Sequence, residues 1–448
     1  MNFESPLDGL LGRLFTNQGD SVTADDLANL ETGLASDAPD LGLLCLAKLV
    51  EIASTGGEAT VKHLYSVDIV PFLLRLSSSS NLRVGEALAN LSAVLSGPED
   101  RAAFIEQGGF KALTNVIHTF LSTGSSSRVP PDTKILLVAC EVYAKIVQTA
   151  ALPTIFPQPY RENAVAGLQP IFLLLAHPAS TPTQVGIALL TLSRLGLTDP
   201  VVGSAITQGS IAIPAATAAS SSRTLKVVDR IEGHLLNPNM EVSRLATRVV
   251  SVLVNSKAGW YYWSGERKSF EFPGEADAKD IYTPKGEPGT LDPEAGRRLG
   301  VLLLLTDSDD SITRKSAATA LAVLTQSESA CSALIALKIV TKGAMIPTKL
   351  WDRVADLFEP GGVRPPADTP GARSTGTGPP DRELADRGAM IAFNLLSFVN
   401  RFYEPEKSNE IKSAVDSGLK AALEAGIKGE FGAAVDANLK AALKVLNK

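Results

Sequence analysis

Small and large apolar residues follow one another in a fixed order along much of this chain. In residues 307–324, DSDDSITRKSAATALAVL, an acid-rich turn precedes Ala317, Ala320, Leu321 and Leu324, which stand at positions i, i+3, i+4 and i+7. This spacing predicts one apolar stripe along an α-helix. Small residues on the stripe let a neighbouring helix backbone approach closely, and the leucines fill the space one turn further on.

The same four-position pattern recurs along the chain. The shortest steps between copies match the period of about 40–47 residues of helical solenoids, and the longer steps contain visible insertions. We therefore favour stacked helical layers, each shielding the apolar side of the next, over the alternative of a compact bundle. The copies begin at Gly42, Val84, Ala139, Val185, Ala246, Ala317 and Ala389.

One stretch resembles an armadillo repeat. Residues 67–109, VDIVPFLLRLSSSSNLRVGEALANLSAVLSGPEDRAAFIEQGG, contain an apolar helix, a polar turn and a third helix with ALANLS. The pair Gly108–Gly109 suits the sharp turn into the next unit. The resemblance implies an all-α, armadillo-like helical solenoid, a right-handed superhelix of about seven degenerate repeats.

The resemblance also bears on how such a solenoid would bind a peptide. In peptide-binding armadillo proteins, an asparagine on each third helix lines the groove, and Asn90 matches it here. No asparagine ladder follows, which argues against a peptide groove of the nuclear-import type. The equivalent positions, counted along the pattern, are Lys48, Lys145, Thr191, Val252, Val323 and Leu395.

A narrower resemblance concerns the second half of the chain. Residues 306–335, TDSDDSITRKSAATALAVLTQSESACSALI, resemble a repeat of the UCS family of myosin chaperones, in which an acidic loop precedes an alanine-rich third helix and a downstream cysteine. DRGAMIAFNLLSFVNRF (386–402) is similar to the late repeats of that family. The resemblance implies a cytosolic chaperone that folds or stabilises the myosin motor domain without a cofactor.

One alternative function stays open, and one feature of the animal UCS proteins is not visible here. A general armadillo scaffold or adaptor without chaperone activity would carry the same repeats. Animal members of the UCS family also have a TPR domain that docks the Hsp90 chaperone, but no TPR signature of roughly 34 residues is visible here. We therefore expect a protein partner, with the myosin motor domain as the first candidate, and do not predict an Hsp90 partner.

Composition and charge narrow the partners further. The 448 residues are 45% hydrophobic, and 42 basic against 48 acidic residues give a net charge of −6. This balance predicts no nucleic-acid or membrane partner, and the apolar runs are shorter than the roughly 18 residues of a membrane-spanning helix. Cys45, Cys140 and Cys331 lie far apart in apolar helical patterns. We expect reduced core thiols in a cytoplasmic protein.

No group of residues predicts catalysis or a bound cofactor. The acidic run Asp307, Asp309 and Asp310 could suggest calcium, but it lacks the glycine and the distal glutamate of an EF-hand, so helix capping is the preferred interpretation. We expect neither a metal nor a cofactor and do not expect an enzyme, although dispersed catalytic residues stay a remote alternative. No histidine has a carboxylate or cysteine at metal-ligand spacing; the four are His63, His118, His177 and His234.

An aromatic cluster lies in residues 259–272, GWYYWSGERKSFEF, which we assign to an insertion loop over residues 255–296. Trp and Tyr bury large areas at small entropic cost, and long loops on solenoids often contact partners. The alternative is that the segment folds back and covers the flank of the layers. The candidate protein-binding residues are Trp260, Tyr261, Tyr262 and Trp263.

Basic residues near the starts of third helices form a second candidate set. Equivalent positions of stacked repeats form a line on one face, and a line of arginines would favour a partner with acidic or carbonyl-rich segments. Ordinary solvated helix starts are the alternative. The candidates are Arg83, Arg244, Arg314 and Arg387, and the asparagines Asn90 and Asn394 complete the predicted binding residues.

Composition divides the chain into five segments. Proline, glycine and threonine dominate residues 359–381, which predicts a disordered linker. The tail 408–448 has leucine and alanine at helical spacing and predicts helices that cap the open end of the array. The predicted segments are repeats over 1–254, the aromatic insertion over 255–296, further repeats over 297–358, the linker over 359–381, and the last repeat with capping helices over 382–448.

Overall fold

The computed structural model describes most residues from 98 onward and isolated positions before them. Its continuous described ranges of four or more residues are 98–106, 133–148, 160–213, 223–266, 293–336, 338–341, 344–347, 350–358, 381–415 and 433–447. Two predicted binding residues, Arg83 and Asn90, lie outside the described residues, as do residues 359–380 of the predicted linker.

Helices dominate the described residues. They are α1 (Pro98–Glu106), α2 (Thr133–Val147), α3 (Tyr160–Ala176), α4 (Pro182–Thr198), α5 (Pro200–Gln208), α6 (Val227–His234), α7 (Met240–Leu253), α8 (Lys257–Ser264), α9 (Pro293–Leu305), α10 (Ser311–Leu324), α11 (Glu328–Ile335), α12 (Leu350–Asp356), α13 (Arg382–Phe402), α14 (Pro405–Ala414) and α15 (Ala433–Leu446). The strands are β1 (Ser210–Ile213), β2 (Arg223–Lys226), β3 (Lys338–Thr341) and β4 (Ala344–Pro347). β1 pairs with β2, and β3 pairs with β4 in an antiparallel register that sets Lys338 opposite Pro347.

The chain forms two compact units. One comprises residues 1–191 and 210–225, and the other comprises residues 192–209 and 226–448. In the first unit α2 packs on α3, and the hydroxyl of Tyr143 donates a 2.6 Å hydrogen bond to the carbonyl oxygen of Gly167. The predicted apolar stripe of α2 forms the core, since Ala139, Val142 and Ile146 are completely buried.

Three-helix layers build the second unit. α5, α6 and α7 form one layer, α8, α9 and α10 form the next, and α11, α12 and α13 form a third. Consecutive third helices pack directly on each other, α7 on α10 and α10 on α13, and α15 packs along α13. The fold is therefore an all-α helical solenoid, as the recurring pattern predicts.

The helix caps establish the register of the layers. Asn239, Asp310 and Asp381 are the N-cap residues of α7, α10 and α13, and the side chain of each accepts hydrogen bonds from N–H groups of the first turn. These caps follow one another at intervals of 71 residues. The stripe of α13 therefore begins at Gly388, and the predicted start at Ala389 is wrong by one residue.

Gly388 occupies this position because α13 crosses the end of α12 closely. A Cβ atom at Gly388 would lie 3.1 Å from the Cβ of Leu357 and 3.1 Å from ring atoms of Phe358. Ala389 is fully buried as well. Residue types alone therefore could not distinguish the two registers.

Most of the insertions lie at the same place in each layer, between its first and its second helix. The β1–β2 segment joins α5 to α6, residues 265–292 join α8 to α9, and the β3–β4 sheet joins α11 to α12. The residues between α12 and α13 instead separate a second helix from a third. Insertions at these places account for the long steps between the later copies of the pattern.

Candidate functional site

The aromatic cluster belongs to a buried helix. Ser256 caps α8 by accepting a hydrogen bond from the N–H of Gly259, and Gly265 ends the helix in the left-handed region at φ 67°. The side chains of Trp260 to Trp263 are at most 6% exposed. The predicted insertion loop is therefore wrong for residues 257–264, and the alternative that the aromatics pack against the layers describes the structure. In this packing they are not presented to a partner.

Tyr262 shows how the cluster joins neighbouring layers. Its hydroxyl lies 2.8 Å from Oδ1 of Asp229 and 3.0 Å from Oε2 of Glu232. The guanidinium of Arg298 lies 3.8 Å from the centre of the Tyr262 ring and 3.1 Å from Glu232. Burial raises the pKa of Tyr262 well above its usual range, so the hydroxyl stays protonated at neutral pH. These contacts hold α6, α8 and α9 together.

The predicted line of arginines does not form on the described third helices, α7, α10 and α13. Counted from the N-caps, Arg244 is the fifth residue, Arg314 the fourth and Arg387 the sixth, so they do not occupy equivalent positions. Each step of one residue turns a side chain by about 100° around the helix axis. Arg387 donates a 3.2 Å hydrogen bond to Asp386 of its own helix. The prediction that these three arginines form one line is therefore wrong.

A different cationic position links consecutive layers. Arg244 donates hydrogen bonds of 3.1 and 2.9 Å to the two carboxylate oxygens of Asp310. Lys315 follows Arg244 after 71 residues, and its ammonium group lies 2.8 Å from Asp381. Each cation thus binds the N-cap carboxylate of the next third helix. Arg244 and Lys315 therefore join consecutive layers.

The N-cap carboxylates have lowered pKa values. Burial tends to raise the pKa of Asp310, but hydrogen bonds from Thr313 and Arg244 outweigh it and lower the pKa below its usual value. For Asp381, burial is likewise outweighed by the hydrogen bond from Lys315 and by backbone N–H groups. The interpretation of the acidic run as a helix cap is confirmed for Asp310.

The outward side of α7, α10 and α13 is the candidate site, and we call it the third-helix face. Arg248, Thr319 and Met390 stand nine residues after the N-caps, and Asn255, Gln326 and Ser397 stand sixteen residues after them; all six are at least partly exposed. Sequence reasoning missed these residues because their equivalence depends on the register of the caps. The face consists of these six residues together with Phe393 and Asn394.

Asn394 occupies the groove-lining position of α13. It is the thirteenth residue after its N-cap, as Val252 and Val323 are in α7 and α10. The predicted equivalent, Leu395, is completely buried, so that assignment is wrong. Nδ2 of Asn394 donates a 3.1 Å hydrogen bond to Oγ1 of Thr325. Of the predicted binding residues that the structure describes, Asn394 lies in the most suitable place to meet a partner.

A hollow of about 180 Å³ opens beside Asn394, between α13 and the turn from α10 to α11. Gln326 and Ser397 line it, and the tilted rings of Phe398 and Phe402 lie at one side with their centres 4.8 Å apart. Phe402 is 47% exposed. This end of the third-helix face thus combines an aromatic wall with amide and charged groups, whereas the α7 end carries the exposed Arg248.

The described residues include no group of three or more His, Cys, Asp or Glu side chains that could hold a metal ion. Burial raises the pKa of Cys331 to about 12 and that of Cys45 to about 11. Such thiols are poor nucleophiles at neutral pH because the reactive thiolate is scarce. None of the described helices has the length and apolar character needed to cross a membrane.

Comparison with solved structures identifies armadillo-like solenoids as similar. UNC-45 from Drosophila melanogaster matches over 98% of this chain and 51% of its own, with a TM-score of 0.60 and 15% identity. She4p matches over 94% of this chain and 51% of its own, with a TM-score of 0.56 and 14% identity. An engineered protein of the Northeast Structural Genomics Consortium matches over 99% of both chains, with a TM-score of 0.53 and 16% identity.

A second UNC-45 structure, described as a chaperone that binds and folds muscle myosin, matches over 98% of this chain and 43% of its own, with a TM-score of 0.55 and 16% identity. This chain thus spans about half the length of the UNC-45 and She4p structures. No family model and no curated protein matches the sequence. The chain is an armadillo-like helical repeat protein.

Proposed function

We propose that this chain is a cytoplasmic, non-enzymatic, protein-binding solenoid of UCS type that helps a myosin motor domain to fold or to stay folded. The observation that carries the proposal is the α13 end of the third-helix face, where the partly exposed Met390 and the exposed Phe393 lie on the same helix as the amide of Asn394. The fold shared with UNC-45, whose structure is described as that of a chaperone binding and folding muscle myosin, supports the choice of partner.

The chemistry of the face suits a partly unfolded protein. Met390 is partly exposed and Phe393 is 38% exposed on α13, so they can cover apolar side chains that an unfolded partner leaves in water. Asn394 and Gln326 beside them can hydrogen-bond a partner's main chain. Binding of this kind lowers the concentration of aggregation-prone chains by mass action and consumes no nucleotide.

The experiment heats a purified myosin motor domain alone or with the full chain and follows its aggregation by light scattering. We expect the chain to suppress aggregation, and we expect the double variant Met390→Ala/Phe393→Ala to lose most of this effect. The matched control is Leu197→Ala/Leu236→Ala, because these two leucines are 61% and 60% exposed outside the third-helix face.

Equal aggregation with and without the chain would refute the chaperone proposal. Sedimentation of the same mixtures distinguishes the alternative: a motor domain that binds the chain and still aggregates identifies a scaffold or adaptor. If the control variant fails as well, the effect does not depend on the third-helix face and the assignment of the site is wrong.

A further inference from the structure

We propose that the hollow beside Asn394 is a subsite for an extended segment of a partner protein in which an apolar side chain stands next to a single carboxylate. The proposal rests on the proposed function and deepens it, because it names the chemistry of the segment that binds at the α13 end of the third-helix face. Three features of the hollow carry it: an aromatic wall, a loosely held arginine and free amide hydrogen-bonding capacity.

The aromatic wall of the hollow favours binding of an apolar side chain of the partner. The rings of Phe398 and Phe402 lie in tilted contact with their centres 4.8 Å apart. Phe402 is a large apolar side chain and is nevertheless 47% exposed. The hollow of about 180 Å³ accommodates one large side chain but not a folded element. Side chains that fill such a pocket beside aromatic residues carry most of the binding energy in protein interfaces.

The positive charge of Arg401 at the edge of the hollow favours a carboxylate of the partner. The side chain of Arg401 is 74% exposed, and its guanidinium lies 3.5 Å from Glu328, beyond the roughly 2.7–2.9 Å of a strong charge-assisted hydrogen bond. The same guanidinium lies 5.0 Å from the ring centre of Phe402. Exposed contacts of these kinds contribute little to stability. Arg401 can therefore turn to a carboxylate of the partner at little cost.

The charges around Arg401 favour a partner segment with one acidic residue over a segment with several. Lys407 adds a second positive charge 5.6 Å from the ring centre of Tyr403. Glu404 and Glu406, both exposed, belong to the same stretch of chain. Glu328 already lies beside Arg401 in the hollow. These glutamates repel a run of acidic residues more strongly than one carboxylate that takes the place of Glu328 at Arg401.

The side-chain amides of Asn394 and Gln326 favour binding of an extended main chain. Asn394 uses one N–H in its bond to Thr325, which leaves its amide oxygen and second N–H for a partner. The exposed Gln326 offers a second amide at the same hollow. An extended segment presents N–H and C=O groups alternately, so the two amides can bind its backbone while the apolar side chain enters the hollow.

The test is a display selection of random eight-residue peptides on the immobilised full chain. We expect enrichment of peptides with an apolar residue adjacent to Asp or Glu. A fluorescent form of the best peptide then measures affinity by anisotropy. We expect Arg401→Glu/Phe402→Ala to weaken binding by at least about tenfold. We expect a similar loss when the peptide's acid is replaced by its amide or its apolar residue by Ala.

The control variant is Arg194→Glu/Leu197→Ala, which changes an exposed arginine and an exposed leucine of α4; it should bind within about twofold of the unchanged chain. Helical circular dichroism shows whether each variant is folded. The proposal fails if no peptide is enriched, if the enriched peptides lack the apolar–acidic pair, or if Arg401→Glu/Phe402→Ala binds them unchanged. Because no myosin is present, the subsite and the chaperone function can fail independently.

Discussion

Arg244 binds both carboxylate oxygens of Asp310, and Asp310 at the same time caps the next third helix. The two hydrogen bonds from the guanidinium measure 3.1 and 2.9 Å. Oδ2 of Asp310 also accepts a 2.8 Å hydrogen bond from the main-chain N–H of Thr313. One carboxylate therefore stabilises the start of α10 and joins it to α7. Lys315 and Asp381 repeat this relationship one layer further on.

Substitutions at Asp310 separate the two roles. Asn is as good an N-cap as Asp, so Asp310→Asn removes only the charge and the ion pair, whereas Asp310→Ala also removes the cap, which is worth about 1 kcal/mol. We expect Asp310→Ala to lower the free energy of unfolding by about 1–2 kcal/mol and Asp310→Asn by less. Urea unfolding measures both values. Asp309→Asn, on the exposed neighbour, is the control, and equal losses in the Asn and Ala variants would contradict the dual role.

The lowered pKa values of Asp310 and Asp381 predict acid sensitivity. A carboxyl group whose pKa is lower in the folded than in the unfolded chain adds stability above its unfolded pKa of about 3.9, and this stability is lost as the pH falls through the folded pKa. We expect the free energy of unfolding to decrease from about pH 5 downward. In Asp310→Asn/Asp381→Asn the decrease should be shallower, as urea midpoints at several pH values would show. An unchanged slope would mean that these groups do not titrate as the structure indicates.

The burial of helix α8 predicts that Trp263 contributes far more to the stability of the fold than Phe402 of α13 does. Trp263 is completely buried and Phe402 is 47% exposed. We expect Trp263→Ala to lower the free energy of unfolding by about 3–5 kcal/mol and Phe402→Ala to change it by about 0.5 kcal/mol at most. Thermal and urea unfolding test both. A small effect of Trp263→Ala would restore the interpretation of this segment as an exposed binding loop.

Two helical glycines predict opposite effects of the same substitution. A Cβ atom at Gly259 would lie 2.0 Å from the carbonyl oxygen of Leu253, whereas a Cβ atom at Gly233 would meet nothing within 4 Å. Gly259→Ala must push α8 away from α7 and should be clearly destabilising. Gly233→Ala should stabilise the chain by about 0.4–1 kcal/mol, because alanine restricts the unfolded backbone. Urea midpoints of the two variants should move in opposite directions, and a shift in the same direction would contradict the packing at Gly259.

Much of the site could not be read from the sequence, for reasons that particular residues make clear. The sequence predicts Asn394 as a binding residue, but only the caps show its equivalence with Val252 and Val323. Arg248 and Gln326 have no local signal, because an exposed polar residue on a helix is ordinary. The long step between copies of the pattern predicts an insertion loop around the aromatic cluster, although Ser256 and Gly265 are suitable cap residues for a helix.

By itself, the sequence determined that the chain is built of helices with small residues on one stripe and that these helices recur as layers. Periodicity of 3.6 residues, capping residues and recurrence are local properties, and they need no knowledge of distant contacts. Only the tertiary structure decided which side chains face outward on the third helices, which cations are used between layers and where the hollow lies. These features depend on residues about 70 positions apart meeting at particular angles, and such pairings follow from packing, not from any local pattern.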